Sequence, residues 1–276
     1  MEAILELDGK DLSSLIALVR QHTGIAMHEH KRVLLQGRLR PRMRALGLSS
    51  YADYIALVQR GGAEVQPFVN LVTTNDTAFF RTPAVWAYLR SVFLPRWVET
   101  RGNAVLQVWS AAAASGEEAY SMAMLCREFQ HSHPDFRFQI RATDISSEVL
   151  DTAANGVYQG RSIDRFSESH PRLLETYLKP EGEVWRVVPE LRERVRFAPH
   201  NLLALPPAGQ RFDLVLLRNV LIYFDEDNQR RVLHNVRAAM NPEARLILGE
   251  QESITRIATP FDFEQTHVYR IRKEQA

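Results

Sequence analysis

Residues 104–121 read AVLQVWSAAAASGEEAYS and join three patterns: a short apolar run, a stretch of very small side chains, and the start of a helix. The alanines and Gly116 exclude bulk from the turn, so a ligand can approach its backbone closely before the helix begins. The GxGxxG fingerprint of a dinucleotide site and the GK[ST] sequence of a phosphate cradle are both absent from this turn. The stretch therefore predicts an open α/β sheet whose ligand carries little phosphate.

Apolar runs elsewhere in the chain alternate with helical patterns. The strand candidates are residues 105–109, 138–143, 212–217 and 245–248, followed by a terminal pair at 261–263 and 268–271. Such alternation predicts a doubly wound, mostly parallel sheet that binds its ligand beyond the carboxyl ends of its strands. GEVWRVV and RVRFAP, joined by PELRE, interrupt the alternation and predict a small antiparallel β insertion at about residues 180–199.

The first 72 residues contain helical patterns without a strand pattern, and Leu35, Leu39 and Met43 recur there at helical spacing. We therefore predict an all-helical domain at residues 1–72 and a second domain at residues 73–276.

A basic stripe lies beside this apolar spacing. Lys31, Arg38 and Arg42 share one face of the predicted helix, which Pro41 is expected to kink or divide. The stripe is either a solvated face or a docking surface for an acidic partner.

Composition and charge narrow the class of protein. The chain has 276 residues, a net charge of +1 and a single cysteine, Cys126, which cannot form an intramolecular disulfide and fits a reducing compartment. No run of about 18 uncharged apolar residues occurs, and the beginning MEAILELDGKD lacks the basic start of a signal peptide. The histidines lack metal-ligand spacing. We expect a cytoplasmic protein without membrane insertion and without a metal site.

Acidic residues follow two successive strands of the predicted sheet. Asp144 ends the second strand, where nucleoside-binding sheets hold an acid that bonds the ribose hydroxyls, although it could instead cap the next helix. Glu117 and Glu118 begin the helix after the first strand, where they either stabilise the helix N-terminus or bind a ligand ammonium group. An acid for a ribose together with an acid for an ammonium group suggests S-adenosylmethionine.

Other polar residues stand near the expected ligand edge. Arg218 and Asn219 follow the strand at 212–217, and Tyr223 lies just beyond them, either as a core tyrosine or as a residue that reaches the ligand. Asn201, in HNLL, is either a turn residue or a partner for an adenine edge. The segment LVTTNDTAFFRT at 71–82 is either a capped linker or a further part of the site.

Seven segments occur in one recognisable order: VTTNDTAFFR, WSAAAASGEEAYSMAM, ATDISSEVL, NGVY, HNLL, FDLVLLRNVLIYFD and LILGEQES. Together they resemble the CheR-type chemotaxis-receptor glutamate methyltransferases. The resemblance implies a Rossmann-like class I α/β fold with a mostly parallel sheet and an antiparallel last strand, plus an N-terminal all-α domain and a small β insertion. It also implies a methyl donor, S-adenosylmethionine, which leaves as S-adenosylhomocysteine after transfer to glutamate carboxylates of receptor cytoplasmic helices.

The resemblance also implies residue roles. The cofactor-lining positions would be Asn75, Thr77, Arg81, Glu117, Asp144, Asn201, Leu202, Arg218 and Asn219. Arg81 and Tyr223 would lie nearest the transferred methyl group, and the basic helix at Arg38 and Arg42 would steer docking of acidic receptor helices.

Some positions depart from the family pattern. Ala114, Ser115 and Ala119 stand where the family often has Cys or Ser, Thr, and Pro, so cofactor affinity should be affected more than chemistry. The β insertion looks shorter than in family members that first tether to a receptor's C-terminal pentapeptide, which counts against such tethering.

The expected protein is a monomer that does not bind nucleic acid. A glutamate with a pKa of about 4.3 is already an anion at neutral pH, so the reaction needs alignment rather than a general base. The alternatives are a nucleic-acid methyltransferase, in which the basic helix would contact phosphates, and a non-catalytic adaptor that binds the nucleoside and a receptor.

Overall fold

The computed structural model of the chain describes residues 6–206 and 209–273. No helix in these ranges combines the length and apolar character that a membrane crossing requires.

Four helices form the N-terminal part: α1 (Gly9–Thr23), α2 (Arg32–Ala45), α3 (Tyr51–Gln59) and α4 (Val65–Val72). Their apolar faces enclose a separate hydrophobic core. Pro41, which was expected to kink or divide a helix, does not divide it, since α2 runs through this residue. Leu39 and Met43, fully buried on either side of Pro41, hold both halves of α2 against this core although the proline lacks a donor N–H.

The remaining chain follows in alternating order. After α5 (Pro83–Tyr88), a π-helical turn (Leu89–Phe93) and α6 (Leu94–Arg101) come β1 (Val105–Ser110), α7 (Glu117–Gln130), β2 (Arg137–Asp144), α8 (Ser147–Asn155), β3 (Val157–Tyr158), α9 (Arg161–Ser169), α10 (Pro171–Tyr177), β4 (Leu178–Glu181), β5 (Val184–Val187), α11 (Pro189–Arg192), β6 (Val195–Pro199), β7 (Phe212–Leu217), α12 (Glu226–Ala238), β8 (Met240–Leu248), β9 (Phe261–Gln265) and β10 (Val268–Ile271).

Seven strands form the main sheet in the order β6-β2-β1-β7-β8-β10-β9. The first five are parallel, and β10 pairs antiparallel with β8 and β9. The predicted α/β class and the antiparallel end of the sheet are confirmed. Apolar side chains pack on both faces of the sheet, so its polar residues concentrate at the strand ends.

The predicted bounds of the β insertion are wrong. RVRFAP forms β6, which pairs parallel with β2 in the main sheet, with Ile140 opposite Val195. The small antiparallel sheet has the order β3-β5-β4 and recruits the two-residue strand β3 from the end of α8. A local alternation pattern indicates a strand but not its partner, because pairing depends on residues distant in sequence.

Candidate active site

A cleft of about 880 Å³, measured out to its open mouth, lies at the carboxyl ends of β1, β2 and β7. Its other walls come from the 73–81 segment and from Thr23 and Ile25 of the helical part. The helical part therefore helps to build the cleft.

Most of the residues predicted for the site converge on this cleft. Its lining includes Asn75, Thr77, Arg81, Asp144, Asn201, Leu202, Arg218, Asn219 and Tyr223. They come from four separate stretches of sequence. Three of these lie at the carboxyl ends of parallel strands, which share one edge of the sheet, and the fourth is the 73–81 segment after α4.

Asp144 ends β2 with its carboxylate at the cleft wall, and the residue is only 7% exposed. Its Oδ2 accepts the N–H of Ala114 at 2.9 Å and its Oδ1 accepts the N–H of Ser146 at 3.0 Å. A carboxylate has about four acceptor positions, so Asp144 can still accept ligand hydroxyls. Burial raises the pKa of Asp144, partly offset by backbone hydrogen bonds from Ser146 and Ala114.

We expect Asp144→Asn to weaken the binding of S-adenosylhomocysteine by about 1.5–3 kcal/mol, since a charge-assisted hydrogen bond is lost. In the wild-type protein, affinity should fall as pH decreases through the raised pKa of Asp144, because ligand hydroxyls bond the ionised form. Titration calorimetry at several pH values tests both points, with exposed Asp151→Asn as the matched control. Unchanged affinity in Asp144→Asn would remove this residue from the ribose role.

Glu118 and Arg218 form a buried ion pair in the cleft wall. Arg218 Nη1 lies 3.0 Å from Glu118 Oε2, with side chains 2% and 10% exposed. Glu118 also accepts the Ser110 hydroxyl at 2.7 Å, and Arg218 Nη2 donates to the Arg81 carbonyl at 2.8 Å. The network joins the ends of β1 and β7 to the 73–81 segment.

Glu117 lies behind this wall and is absent from the cleft lining. Its carboxylate accepts the hydroxyls of Ser115 at 2.7 Å and Ser162 at 3.0 Å, and burial raises its pKa. Consecutive residues of a helix point about 100° apart, so the side chains of Glu117 and Glu118 leave the start of α7 in different directions. Direct contact between Glu117 and the cofactor stays a prediction, and Glu118 is the acid that the cleft exposes.

Arg81 and Tyr223 both line the cleft from segments held by backbone contacts. Arg81 Nη1 donates to the Asp76 carbonyl at 3.0 Å and lies 3.4 Å from the Asp76 carboxylate, which is 80% exposed. Exposed ion pairs contribute only about 0–1 kcal/mol, so Arg81 can exchange this partner for an anionic substrate. The Tyr223 carbonyl accepts the N–H of Ala26 at 2.8 Å, which ties this loop to the helical part.

Among residues other than glycine, left-handed backbone is concentrated around the cleft. Phe80, Thr82, Ala114 and Asn219 have φ values of 50°, 65°, 46° and 59°. Such conformations cost residues other than glycine about 1–3 kcal/mol each and persist where other contacts hold them. The Phe80 N–H donates to Ser121 Oγ at 2.9 Å, and the Ala114 N–H is held by Asp144.

The two arginines predicted to dock a receptor both have partners within the chain. Arg42 forms two hydrogen bonds with Glu64, at 3.0 and 2.6 Å. Arg38 donates to the carbonyls of Leu71 and Thr73, at 3.3 and 2.8 Å. These contacts stabilise α2 against the segment entering the cleft, so neither guanidinium is free, and docking by these residues stays a prediction.

Several residues of the cleft lining were not anticipated, among them Thr23, Ile25 and His200. His200 lines the cleft, and its Nε2 is buried without a hydrogen-bond partner among the described residues. Burial lowers the pKa of His200, which favours the neutral ring. His200 follows β6. Because β6 was assigned to the insertion, the sequence analysis did not place His200 at a strand end of the main sheet. The position of His200 directly before Asn201 was the available signal.

These groups fit the cofactor suggested by the sequence. Ala111, Ala112 and Ala114 leave room beside the backbone, and Asp144 supplies spare acceptor positions. His200 contributes to the same wall of the cleft. Among the described residues there is no group of three or more His, Cys, Asp or Glu side chains able to hold a metal ion.

Comparisons with known proteins agree with the interpretation of the cleft as a site for S-adenosylmethionine. The family model "CheR methyltransferase, all-alpha domain" matches residues 10–73, and "CheR methyltransferase, SAM binding domain" matches residues 75–270. The chain is 34% identical over 277 aligned positions to a chemotaxis protein methyltransferase of Escherichia coli, covering 98% of this chain and 93% of that protein.

Two further relatives extend the match. The chain is 38% identical to chemotaxis protein methyltransferase 2 of Pseudomonas aeruginosa, covering 84% of this chain and 82% of that one. It is 31% identical to a chemotaxis protein methyltransferase of Borreliella burgdorferi, covering 88% of each. With both domain models matched and the cleft suited to the nucleoside, this chain belongs to the CheR methyltransferase family and is an S-adenosylmethionine-dependent methyltransferase.

Proposed function

We propose that the protein methylates glutamate side chains on the cytoplasmic helices of methyl-accepting chemotaxis receptors and so forms glutamyl methyl esters. The observation that carries this proposal is the placement of Arg81 and Tyr223 on one open cleft with the cofactor-type groups Asp144 and Asn201. The names of the relatives, all chemotaxis protein methyltransferases, support the same class of substrate.

The residues of the cleft suit transfer to an anion. Bound S-adenosylmethionine supplies a methyl group on a sulfonium centre. A receptor glutamate, with a pKa of about 4.3, is already ionised at neutral pH and needs no base. Arg81 would pair with this carboxylate and the Tyr223 hydroxyl would donate to it, so both residues align the nucleophile. Buried Phe224 on the cleft wall would keep water away.

Other lining residues would hold the cofactor. Asp144 would accept the ribose hydroxyls, and Asn201 would bond the adenine edge. Asn201 is already oriented, since its Nδ2 donates to the His22 carbonyl at 3.2 Å and its Oδ1 accepts the Leu203 N–H at 3.0 Å. Leu202, Asn219, Asn75 and Thr77 would contribute the remaining contacts.

Receptor docking would involve the basic helix α2. Lys31 and Arg44 are exposed, and neither forms an ion pair within the described residues. Arg38 and Arg42 would add to this attraction only if each guanidinium contacted the acidic helix while it kept its present partners in the chain. We propose that the protein acts in the cytoplasm as a monomer and docks without a pentapeptide tether.

The test presents purified receptor signalling helices and cofactor labelled in its methyl group to the protein. We expect base-labile label on glutamate residues, at equal rates whether or not the receptor ends in its C-terminal pentapeptide. Base-stable label on lysine, or label on added nucleic acid, would exclude the proposed substrate. Cofactor binding without any transfer would indicate an adaptor instead, and a strong rate advantage for the pentapeptide would contradict docking without a tether.

A further inference from the structure

We infer that Glu252 is a positioning residue for methyl transfer, because its buried carboxylate holds the loop at residues 218–224, which carries Asn219 and Tyr223. Glu252 lies beyond the end of β8 and is not part of the cleft lining. The inference rests on the proposed alignment of the substrate by Tyr223.

The carboxylate of Glu252 accepts four backbone N–H groups. Its Oε2 accepts those of Asn219 and Gly249, both at 2.7 Å. Its Oε1 accepts those of Val220 at 2.8 Å and Leu221 at 2.7 Å. The residue is 8% exposed, so these bonds occupy the acceptor positions of a carboxylate that is nearly out of contact with water.

The loop needs such an acceptor because of its backbone path. After β7, Asn219 takes a left-handed conformation with φ of 59°, and a 3₁₀ turn begins at Leu221. The amides at the start of a helical turn have no partner within it, and a buried amide without a partner is costly. Glu252 satisfies three consecutive amides of this loop, from Asn219 to Leu221.

The same contact requires a glycine at position 249. A Cβ there would lie 2.9 Å from the backbone nitrogen of Asn219 and 2.8 Å from Glu252 Oε2. Residues 249–252 therefore form a close-fitting support behind the loop.

Other contacts hold the later residues of the loop. The end of the loop is held by Gln229, which donates to the carbonyls of Leu221 and Phe224 at 2.9 and 3.1 Å. The Ala26 N–H holds the Tyr223 carbonyl. Among the hydrogen bonds of the described residues, the acceptor for the N–H groups at the beginning of the loop is Glu252. Removing this acceptor frees Asn219 and, through the short turn, changes the placement of Tyr223.

The test is Glu252→Gln, which preserves size but turns one acceptor oxygen into an N–H₂ donor facing amide N–H groups. We expect faster hydrogen exchange in the peptide containing residues 218–224. We expect kcat for receptor methylation to fall at least about tenfold, since small misplacements of aligning groups have effects of this order or larger. The dissociation constant of S-adenosylhomocysteine should change less than kcat. Circular dichroism at the assay temperature establishes the folded fraction.

Two further variants sharpen the test. Glu250→Gln changes an exposed carboxylate two residues away and should leave exchange and kcat unchanged. Glu252→Asp keeps the charge but is one methylene shorter, so it should be intermediate, and it replaces Glu252→Gln if that variant does not fold.

The outcomes separate the inference from the proposed function. If the wild-type protein methylates receptor glutamate and both Glu252 variants, fully folded, retain its kcat, the inference is wrong and the proposed function stands. A kcat that falls only in proportion to the folded fraction also overturns it. If the wild-type protein transfers no methyl group to receptor glutamate, the proposed function fails, and the inference fails with it.

Discussion

Arg81→Ala should lower kcat for receptor methylation by about 100- to 1,000-fold, the usual effect of removing one donor that aligns or stabilises a reacting anion. The physical reason is that Arg81 is the cleft-lining cation with an exchangeable, exposed partner, Asp76. Affinity for S-adenosylhomocysteine should change much less, because a substrate-aligning group contributes mainly in the transition state. Single-turnover transfer and titration calorimetry measure the two quantities separately.

The matched control is Arg90→Ala, which removes an exposed arginine outside the cleft lining and should leave both quantities unchanged. Equal losses of transfer and cofactor affinity in Arg81→Ala would reassign Arg81 to cofactor binding.

Arg218→Met should decrease the free energy of unfolding by about 3–5 kcal/mol, since it leaves the buried Glu118 carboxylate without its cation. The remaining partner of Glu118 would be the Ser110 hydroxyl, and the Arg81 carbonyl would lose its bond from Arg218. Urea denaturation measures the loss of stability. Bound S-adenosylhomocysteine should not fully restore the stability, because the substitution changes a wall of the cleft in which this ligand would bind.

Arg211→Met is the control for this prediction. Arg211 is exposed just before β7, so its replacement should alter stability by no more than about 0.5 kcal/mol. A small loss in Arg218→Met would mean that water or a rearranged side chain compensates Glu118, and the buried pair would then not be a principal support of the cleft.

The helical part contributes directly to the cofactor cleft, in addition to its proposed role in receptor docking. Thr23 and Ile25 line the cleft, and the His22 carbonyl orients Asn201. Arg38 ties α2 to Thr73, at the entrance to the 73–81 segment. A receptor helix that binds to α2 would therefore contact the same helical part that forms one wall of the cofactor cleft.

Several features followed from the sequence because they depend on local patterns. The apolar run before the alanines predicted β1, and the acid after the next apolar run placed Asp144 at a strand end. Parallel strands bring their carboxyl ends to one edge, so Asp144, Arg218 and Asn219 could be grouped without coordinates. The resemblance carried by seven segments identified Arg81 and Tyr223 as site residues. From their positions in the sequence, without this resemblance, both residues had other interpretations.

Features that depend on contacts between distant residues could not be read in this way. The alternation in RVRFAP is the same for a hairpin and for an edge strand, and only pairing with β2 distinguishes them. Side-chain direction at the start of α7 decided that Glu118, rather than Glu117, faces the cleft. The role of Glu252 depends on amides 31 to 33 residues earlier in the chain.

The sequence by itself determined the class of the fold, the strands β1, β2 and β7, and the polar residues at the ends of β2 and β7, because these follow from periodicity and turn chemistry within short windows. Only the tertiary structure decided which charges are free. Arg38, Arg42 and Arg218 all look available in the sequence, yet each guanidinium has partners from another element. Burial makes an unpaired charge costly, and the partner that relieves this cost is chosen by the fold rather than by sequence neighbours.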